Sequence, residues 1–330
     1  MAITGDDSTE PRPRPIHTAL SHLAVWGLRG IGKGITLSPP PVWGFLASAI
    51  AAVLWRCLGR YRRVALRNLL DAGFTAREAH SLGKQCFRSN LLVVFESLAM
   101  PRLLEERGIR LERRISPKAR QALERIRSGA ETVSFGVGGH TGVWELLGAQ
   151  FAQLCAPVTA VVSARLVKNP ILSEFLVSLR RGYGMHLIEK QDFMRFLLRE
   201  NRNKSPHIYV FLCDQHFRRG VKVPFFGRKT CAVSIPAVLI RRFDGPVFMG
   251  RCIRIAPGHY RLELDLFDRQ PYRDLPEEEA VYRITAAILK HIETTIAMAP
   301  EQWTWGHRIW RDCCKDGGDD GQPVETSRPS

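Results

Sequence analysis

From about residue 76 onward, short β-branched runs alternate with helical apolar patterns, and this alternation limits the possible folds more than any other feature of the 330-residue chain. Strand-like runs at 132–137, 158–163 and 207–213 are interleaved with helical patterns at 79–100, 143–154, 171–181 and 192–202. Residues 207–213 are apolar without alternation, as in a strand covered on both faces. After a helical stretch at 235–243, two strands at 247–255 and 260–267 read as a pair, the second alternating Tyr260, Leu262, Leu264 and Leu266 with Arg261, Glu263 and Asp265. Val281, Ile284, Ile288 and Ile292 mark a closing helix over 277–299. The pattern predicts an α/β fold with a mixed, mostly parallel central sheet flanked by helices.

The region before residue 76 has a different character. Residues 35–55 carry no charge, but Pro39, Pro40 and Pro41 interrupt them, so the helical part is 42–58. The uncharged stretch 42–55 is shorter than the ~20 residues that cross a bilayer. Two readings follow: a membrane-associating helix in one leaflet with Trp43 and Trp55 at the interface, or a buried core helix. Arg56, Arg60, Arg62, Arg63 and Arg67 come next, with no acid until Asp71. A basic cluster beside an oily helix is the pattern for an anionic leaflet. Residues 1–34 read as a polar, partly disordered segment without the pattern of a secretory signal, and 315–330 as a disordered acidic tail. Between them, 35–75 form the membrane-associating segment and 76–314 the main domain.

The formal charge is +16, from 48 Lys and Arg against 32 Asp and Glu. Such a surplus implies a polyanionic partner: nucleic acid, anionic lipid or a phosphorylated substrate. The eight cysteines are scattered without a C-x-x-C pair, which favours free thiols in a reducing compartment. The histidines show no metal-ligand spacing with acids or cysteines, so no metal site is expected.

The sharpest local motif is Gly138-Gly139-His140-Thr141-Gly142-Val143-Trp144-Glu145, where a strand ends and a helix begins. Ligands of open α/β sheets bind at such carboxyl ends. His140 has the pKa of a general base near neutrality. Glu145 can reach it if His140 lies on the turn and Glu145 in the first turns of the helix. The other reading is a helix-capping turn with an incidental histidine. No G-x-S-x-G elbow and no G-x-x-x-x-G-K-[ST] loop occurs, so a base without a protein nucleophile would activate an acceptor hydroxyl or water.

The His140–Glu145 motif resembles the H-x4-E signature of the bacterial lipid A late acyltransferases, the lauroyl/myristoyl branch of the lysophospholipid acyltransferases. Further blocks carry the resemblance: Arg63 to Leu69, Ser163 to Pro170 with Arg165, Cys213-Asp214-Gln215 with Val223 to Arg228, and Pro300-Glu301-Gln302-Trp303. The resemblance implies a glycerolipid acyltransferase-like fold and a membrane-associated O-acyltransferase at the cytoplasmic face of the bacterial inner membrane. It would move a fatty acyl group from acyl carrier protein or acyl-CoA to a hydroxyl of a phosphorylated glycolipid, a lipid A precursor. Relatives also acylate phosphatidylinositol mannosides, so the acceptor stays open.

In that scheme His140 deprotonates the hydroxyl and Glu145 orients His140. Arg165 helps hold the acceptor or the carboxylate, and Asp214, Gln215 and Arg228 belong to the substrate-binding region. Asp214 needs a partner, for which Arg165, Arg228 or a backbone donor qualifies. Trp303, Trp305 and Trp310, with His307, Arg308 and Arg311, read as an interfacial belt or a core lid, with packing favoured. No cofactor is implied beyond the acyl thioester co-substrate. The polyanionic partners become an anionic membrane surface and the phosphorylated acceptor, and nucleic acid is not expected. The competing reading is a basic lipid- or nucleic-acid-binding protein.

Overall fold

The computed structural model describes residues 15–164 and 169–311. Helices come first: α1 (Pro15–Leu37), α2 (Pro40–Cys57), α3 (Gly59–Asp71), α4 (Ala76–Leu98) and the short α5 (Met100–Leu104). The alternating part follows: β1 (Arg110–Ile115), α6 (Pro117–Arg127), β2 (Val133–Gly138), α7 (Trp144–Cys155), β3 (Thr159–Ala164), α8 (Pro170–Gly182), β4 (Met185–Glu189), α9 (Phe193–Arg202) and β5 (His207–Leu212). A hairpin of β6 (His216–Phe225) and β7 (Arg228–Ala232) leads to α10 (Ile235–Arg242), β8 (Val247–Ala256), β9 (His259–Leu266) and α11 (Glu277–Met298).

Seven strands form one sheet in the order β1-β9-β8-β2-β5-β3-β4, parallel throughout except between β8 and β9. The α/β class and the mostly parallel sheet match the sequence expectation. From β2 the chain passes through α7 to β3, on the far side of β5. From β5 it passes through the hairpin and α10 to β8, on the far side of β2. The connections therefore leave β2 and β5 in opposite directions, which opens a crevice at their carboxyl ends.

Both faces of the sheet are covered. Ile208, Phe248 and Leu262 pack with α6 and α7 on one face, and Phe135, Tyr209 and Val247 pack with α10 and α11 on the other. This is why residues 207–213 lack alternation: side chains on both faces meet a helix layer. Helix starts follow local chemistry. Thr75 and Glu78 form a reciprocal capping box on α4. Asn169 accepts from the Ile171 and Leu172 amides, with Pro170 opening α8.

Glu96 and Arg254 tie α4 to β8 inside the protein. The Arg254 Nε and Nη2 donate to the two Glu96 carboxylate oxygens at 2.6 and 2.5 Å, and Ser89 Oγ accepts from Nη1 at 2.9 Å. The Gln302 side chain then spans the Arg254 backbone, accepting from its N–H at 2.9 Å and donating to its carbonyl at 2.8 Å. Each guanidinium nitrogen and both carboxylate oxygens of the buried pair are thus engaged, as burying a charge pair requires.

The first 75 residues depart from expectation. Residues 15–34, expected as polar and partly disordered, lie in α1. Its apolar residues are spaced for two faces: Val25 and Ile35 are buried, while Leu20, Leu23, Trp26, Ile31 and Leu37 are exposed. Trp43 and Trp55, expected at a membrane interface, are buried. Trp43 donates its indole N–H to the Ile35 carbonyl and Ser38 Oγ at 2.9 and 3.0 Å, and Trp55 packs edge-on against Phe87 and His80. The exposed apolar face of α2 is instead Val42, Phe45, Leu46, Ile50 and Val53. α2 is also the one helix among the described residues long and apolar enough to cross a membrane.

The arginines divide. Arg56, Arg60 and Arg63 are exposed. Arg62 turns inward, donating to the Trp55 carbonyl at 2.9 Å and lying over its ring, so it closes the end of α2 rather than facing outward. Cys57, Cys86, Cys155, Cys213 and Cys252 are free, whereas Cys231 is disulfide-bonded, a departure from the all-thiol expectation.

Candidate active site

β2 and β5 are neighbours in parallel register, with Gly138 opposite Leu212. Two residues beyond that pair on each strand stand His140 and Asp214, so the sheet itself brings them together. His140 Nδ1 lies 2.7 Å from Asp214 Oδ1, and the His140 backbone N–H donates to Oδ2 at 2.8 Å. Trp303 completes the set, its indole N–H donating to Oδ2 at 2.7 Å. The acid at the end of an apolar strand therefore has three donors: the expected backbone donor is one of them, and the expected Arg228 is not.

Glycines permit this approach. A Cβ on Gly139 would lie 3.2 Å from the Asp214 carboxylate and 2.8 Å from Ile292. Gly142 has φ +65°, and a Cβ there would stand 2.0 Å from the Cys252 carbonyl oxygen. The turn is pinned further by Gly142 N–H to the Gln302 carbonyl (2.9 Å) and Val143 N–H to the Cys252 carbonyl (2.8 Å). The segment 300–303 thus serves the site twice, fixing the turn through Gln302 and the acid through Trp303.

The carboxylate can only accept, so Nδ1 carries the proton in the neutral ring and Nε2 is left as the base. Burial pulls the imidazole pKa down, but the charge and hydrogen bond of Asp214, with Glu145 adding, outweigh it and hold His140 above the ordinary histidine value. Burial raises the Asp214 carboxyl, and the His140 charge with the three hydrogen bonds more than reverses it. Nε2 lies 3.4 Å from the Gln215 side-chain nitrogen and borders a cavity of about 330 Å³ lined by Tyr61, Asn90, Trp144, Gln215, Thr304 and His307, among others. Among the described residues neither Ser nor Cys lines it. Burial depresses the pKa of His307.

Glu145 stands one residue into α7 and bonds Arg180 of α8, with Oε1 2.6 Å from Nη2 and both oxygens 3.2 Å from Nε. Contrary to the expectation that Glu145 contacts His140 directly, the acid bonded to the ring is Asp214, and Glu145 is bonded to Arg180. Arg228 ion-pairs with Asp71 at 2.5 Å and lies over the Trp310 ring, so it braces the hairpin against α3 instead of reaching the site. Gln215 lies at the cavity as expected. Arg165 falls outside the described residues.

The role of Trp303 was not visible beforehand, since an indole packed in a core and an indole aimed at a carboxylate leave the same trace in a sequence. For Asp214 a signal existed: an acid at the end of an uninterrupted apolar strand, which burial makes costly without partners.

A buried carboxylate behind a histidine at the carboxyl edge of a mostly parallel sheet, bordering a cavity, marks an α/β protein whose site holds the groups that general-base catalysis needs. The family model for bacterial lipid A biosynthesis acyltransferases matches residues 14–312, and the chain belongs to that family. It is accordingly an acyltransferase. No curated protein matches the chain.

Proposed function

We propose that the protein transfers a fatty acyl group from a thioester of acyl carrier protein or coenzyme A to a hydroxyl of a phosphorylated lipid A precursor, with His140 as the base. The observation that carries this reading is the His140–Asp214 pair with Nε2 turned to a cavity lined, among the described residues, by neither Ser nor Cys. Nε2 takes the proton of the acceptor hydroxyl as its oxygen attacks the thioester carbonyl. The tetrahedral oxyanion collapses, the C–S bond breaks, and the imidazolium returns its proton to the departing thiolate. No acyl-enzyme forms. Asp214 fixes the tautomer and stabilises the imidazolium, as the acid of a hydrolase triad does. Glu145, held by Arg180, adds negative charge beside it. Arg165 is assigned to the acceptor, because Glu145 already has a guanidinium partner in Arg180.

The exposed apolar faces of α1 and α2, with Arg56 and Arg63, support membrane association at the cytoplasmic face of the inner membrane. Acyl transfer by purified His140→Ala, read by mass spectrometry of the glycolipid product, tests the base. Turnover should fall roughly 10²–10⁴-fold with an unchanged circular dichroism spectrum. Transfer within threefold of wild type would remove His140 from the reaction.

A further inference from the structure

A second cavity of about 430 Å³ lies beside the catalytic one, within the ~300–1,000 Å³ range of small-ligand sites. Tyr61 and His307 line both, so the two share a wall. Its own lining brings together Arg60 from α3 with Arg308 and Arg311 from the closing segment. None of the three guanidinium groups has an ion-pair partner among the described residues. The start of α3, Leu58 to Tyr61, forms another side of the cavity, and no side chain caps that helix. Three cations without an ion-pair partner among the described residues and an uncapped helix N-terminus around one cavity make an environment for a compact anion with several acceptor oxygens.

We propose that this cavity binds a phosphoryl group of the acceptor, and so sets which hydroxyl of the same molecule reaches His140. The proposal rests on the acyl-transfer reading for the identity of the ligand, but the site itself does not. A guanidinium pair grips a phosphate through paired N–H···O bonds, which fixes direction as well as position. Gly306 keeps the shared wall tight: a Cβ there would overlap the Tyr61 ring at 1.9–2.3 Å. A ligand anchored on the arginine side therefore meets the catalytic side past the shared Tyr61 and His307 wall. The Arg60 expected to face a membrane is reassigned to this cavity.

The test uses the full chain in neutral detergent micelles, which removes bulk anionic lipid as a source of phosphate. Two acceptors are compared, a phosphorylated glycolipid and the same lipid after phosphatase treatment. Wild type should favour the phosphorylated acceptor at least tenfold in kcat/KM, mainly through KM. The Arg60→Gln/Arg308→Gln/Arg311→Gln variant should lose that preference. All three positions are exposed, so folding is not at stake. Equal slowing on both acceptors, or no change, overturns the proposal. A KM shift confined to coenzyme A thioesters, and absent with N-acetylcysteamine thioesters, assigns the phosphate to the donor and overturns the acceptor assignment.

Binding is read apart from turnover by calorimetric titration with glucosamine 1-phosphate. His140→Ala should bind like wild type, and the triple variant at least tenfold more weakly. If His140→Ala also kept full transfer activity, the catalytic reading would fail while the phosphate site stood.

Discussion

His140 and Asp214 are joined at 2.7 Å across 74 residues of sequence, each two positions beyond a registered pair on neighbouring parallel strands. The sheet, not a local motif, sets this geometry. Replacing Asp214 by Asn keeps the shape but offers an amide where the ring needs a charged acceptor. Asp214→Asn should lower acyl transfer by roughly 10²–10⁴-fold. Glu145→Gln, which weakens the Arg180 pair and removes a negative charge near the ring but leaves the ring's hydrogen bond to Asp214, should lower it less. A larger loss in Glu145→Gln than in Asp214→Asn, in steady-state assays at one pH, would reverse the two roles.

The pH profile gives an independent check. The base must be neutral, so kcat/KM should rise with pH through a pKa above the ordinary histidine value, because the Asp214 charge and hydrogen bond hold it there. Asp214→Asn removes both, and the rising limb should move to lower pH as the plateau drops. Stability follows the opposite sign. The raised His140 contributes below the ordinary histidine value and is lost as pH climbs through the folded pKa. The depressed Asp214 contributes above the ordinary carboxylate range and is lost as pH falls through its folded pKa. The pair therefore stabilises most from mildly acid pH to just below neutrality, measurable as a shallow maximum in urea midpoint that Asp214→Asn flattens. A rising limb that stays put in Asp214→Asn would contradict the assignment.

Much of this was legible in the sequence because burial and period write directly into it. Strands 132–137 and 207–213 and their helices follow from apolar runs, and His140 from a strand–Gly-Gly–helix junction. β1 escaped notice because Arg110, Glu112, Arg113 and Arg114 fill an edge strand with charge, which shows no apolar period. The partner of His140 was misread for a different reason. Glu145 is close in sequence and Asp214 is distant, and only the strand order decides which is close in space. α1 was hidden by its short polar residues and four glycines, which propensity reads as non-helical but packing against α4 and α8 overrides.

Gly142 supplies a test of the turn itself. In Gly142→Ala the new methyl would meet the Cys252 carbonyl oxygen at 2.0 Å in a backbone region that L residues avoid. Gly129 is a control, with φ +76° and open space around it. Gly129→Ala should lose only the conformational part, about 1–3 kcal/mol. Gly142→Ala should lose more in thermal unfolding, and its activity should fall further than its stability explains, because the turn carries His140. Equal melting temperatures and activities in the two variants would mean the turn relaxes freely.

Glu96→Gln tests the buried bridge. Arg254 would keep its positive charge with no water and one weaker acceptor, and breaking a buried pair in this way costs roughly 3–5 kcal/mol. Urea unfolding should show that loss, and the Glu96→Leu/Arg254→Met double variant should recover most of it. No recovery in the double variant would point to the Ser89 and Gln302 bonds, instead of the charge pair, as what holds β8 to α4.

The apolar face of α1 and α2 makes a prediction that separates membrane contact from packing. Trp26 is 71% exposed and Phe45 74%, whereas Trp43 on α2 is fully buried. Burying a large apolar side chain is worth roughly 1.5–3 kcal/mol, equivalent to tenfold or more in partition. Trp26→Glu and Phe45→Glu should each release the protein from anionic vesicles in a flotation assay while leaving its melting temperature nearly unchanged. Trp43→Phe should do the reverse: it keeps partition but lowers stability, because the indole bonds to Ile35 and Ser38 are lost. If Trp43→Phe alone released the protein, the helices would have to rearrange at the surface to present it. If none of the three did, the exposed face would be idle in membrane binding and the basic residues around Arg56 and Arg63 would carry it, visible as loss of flotation at high salt.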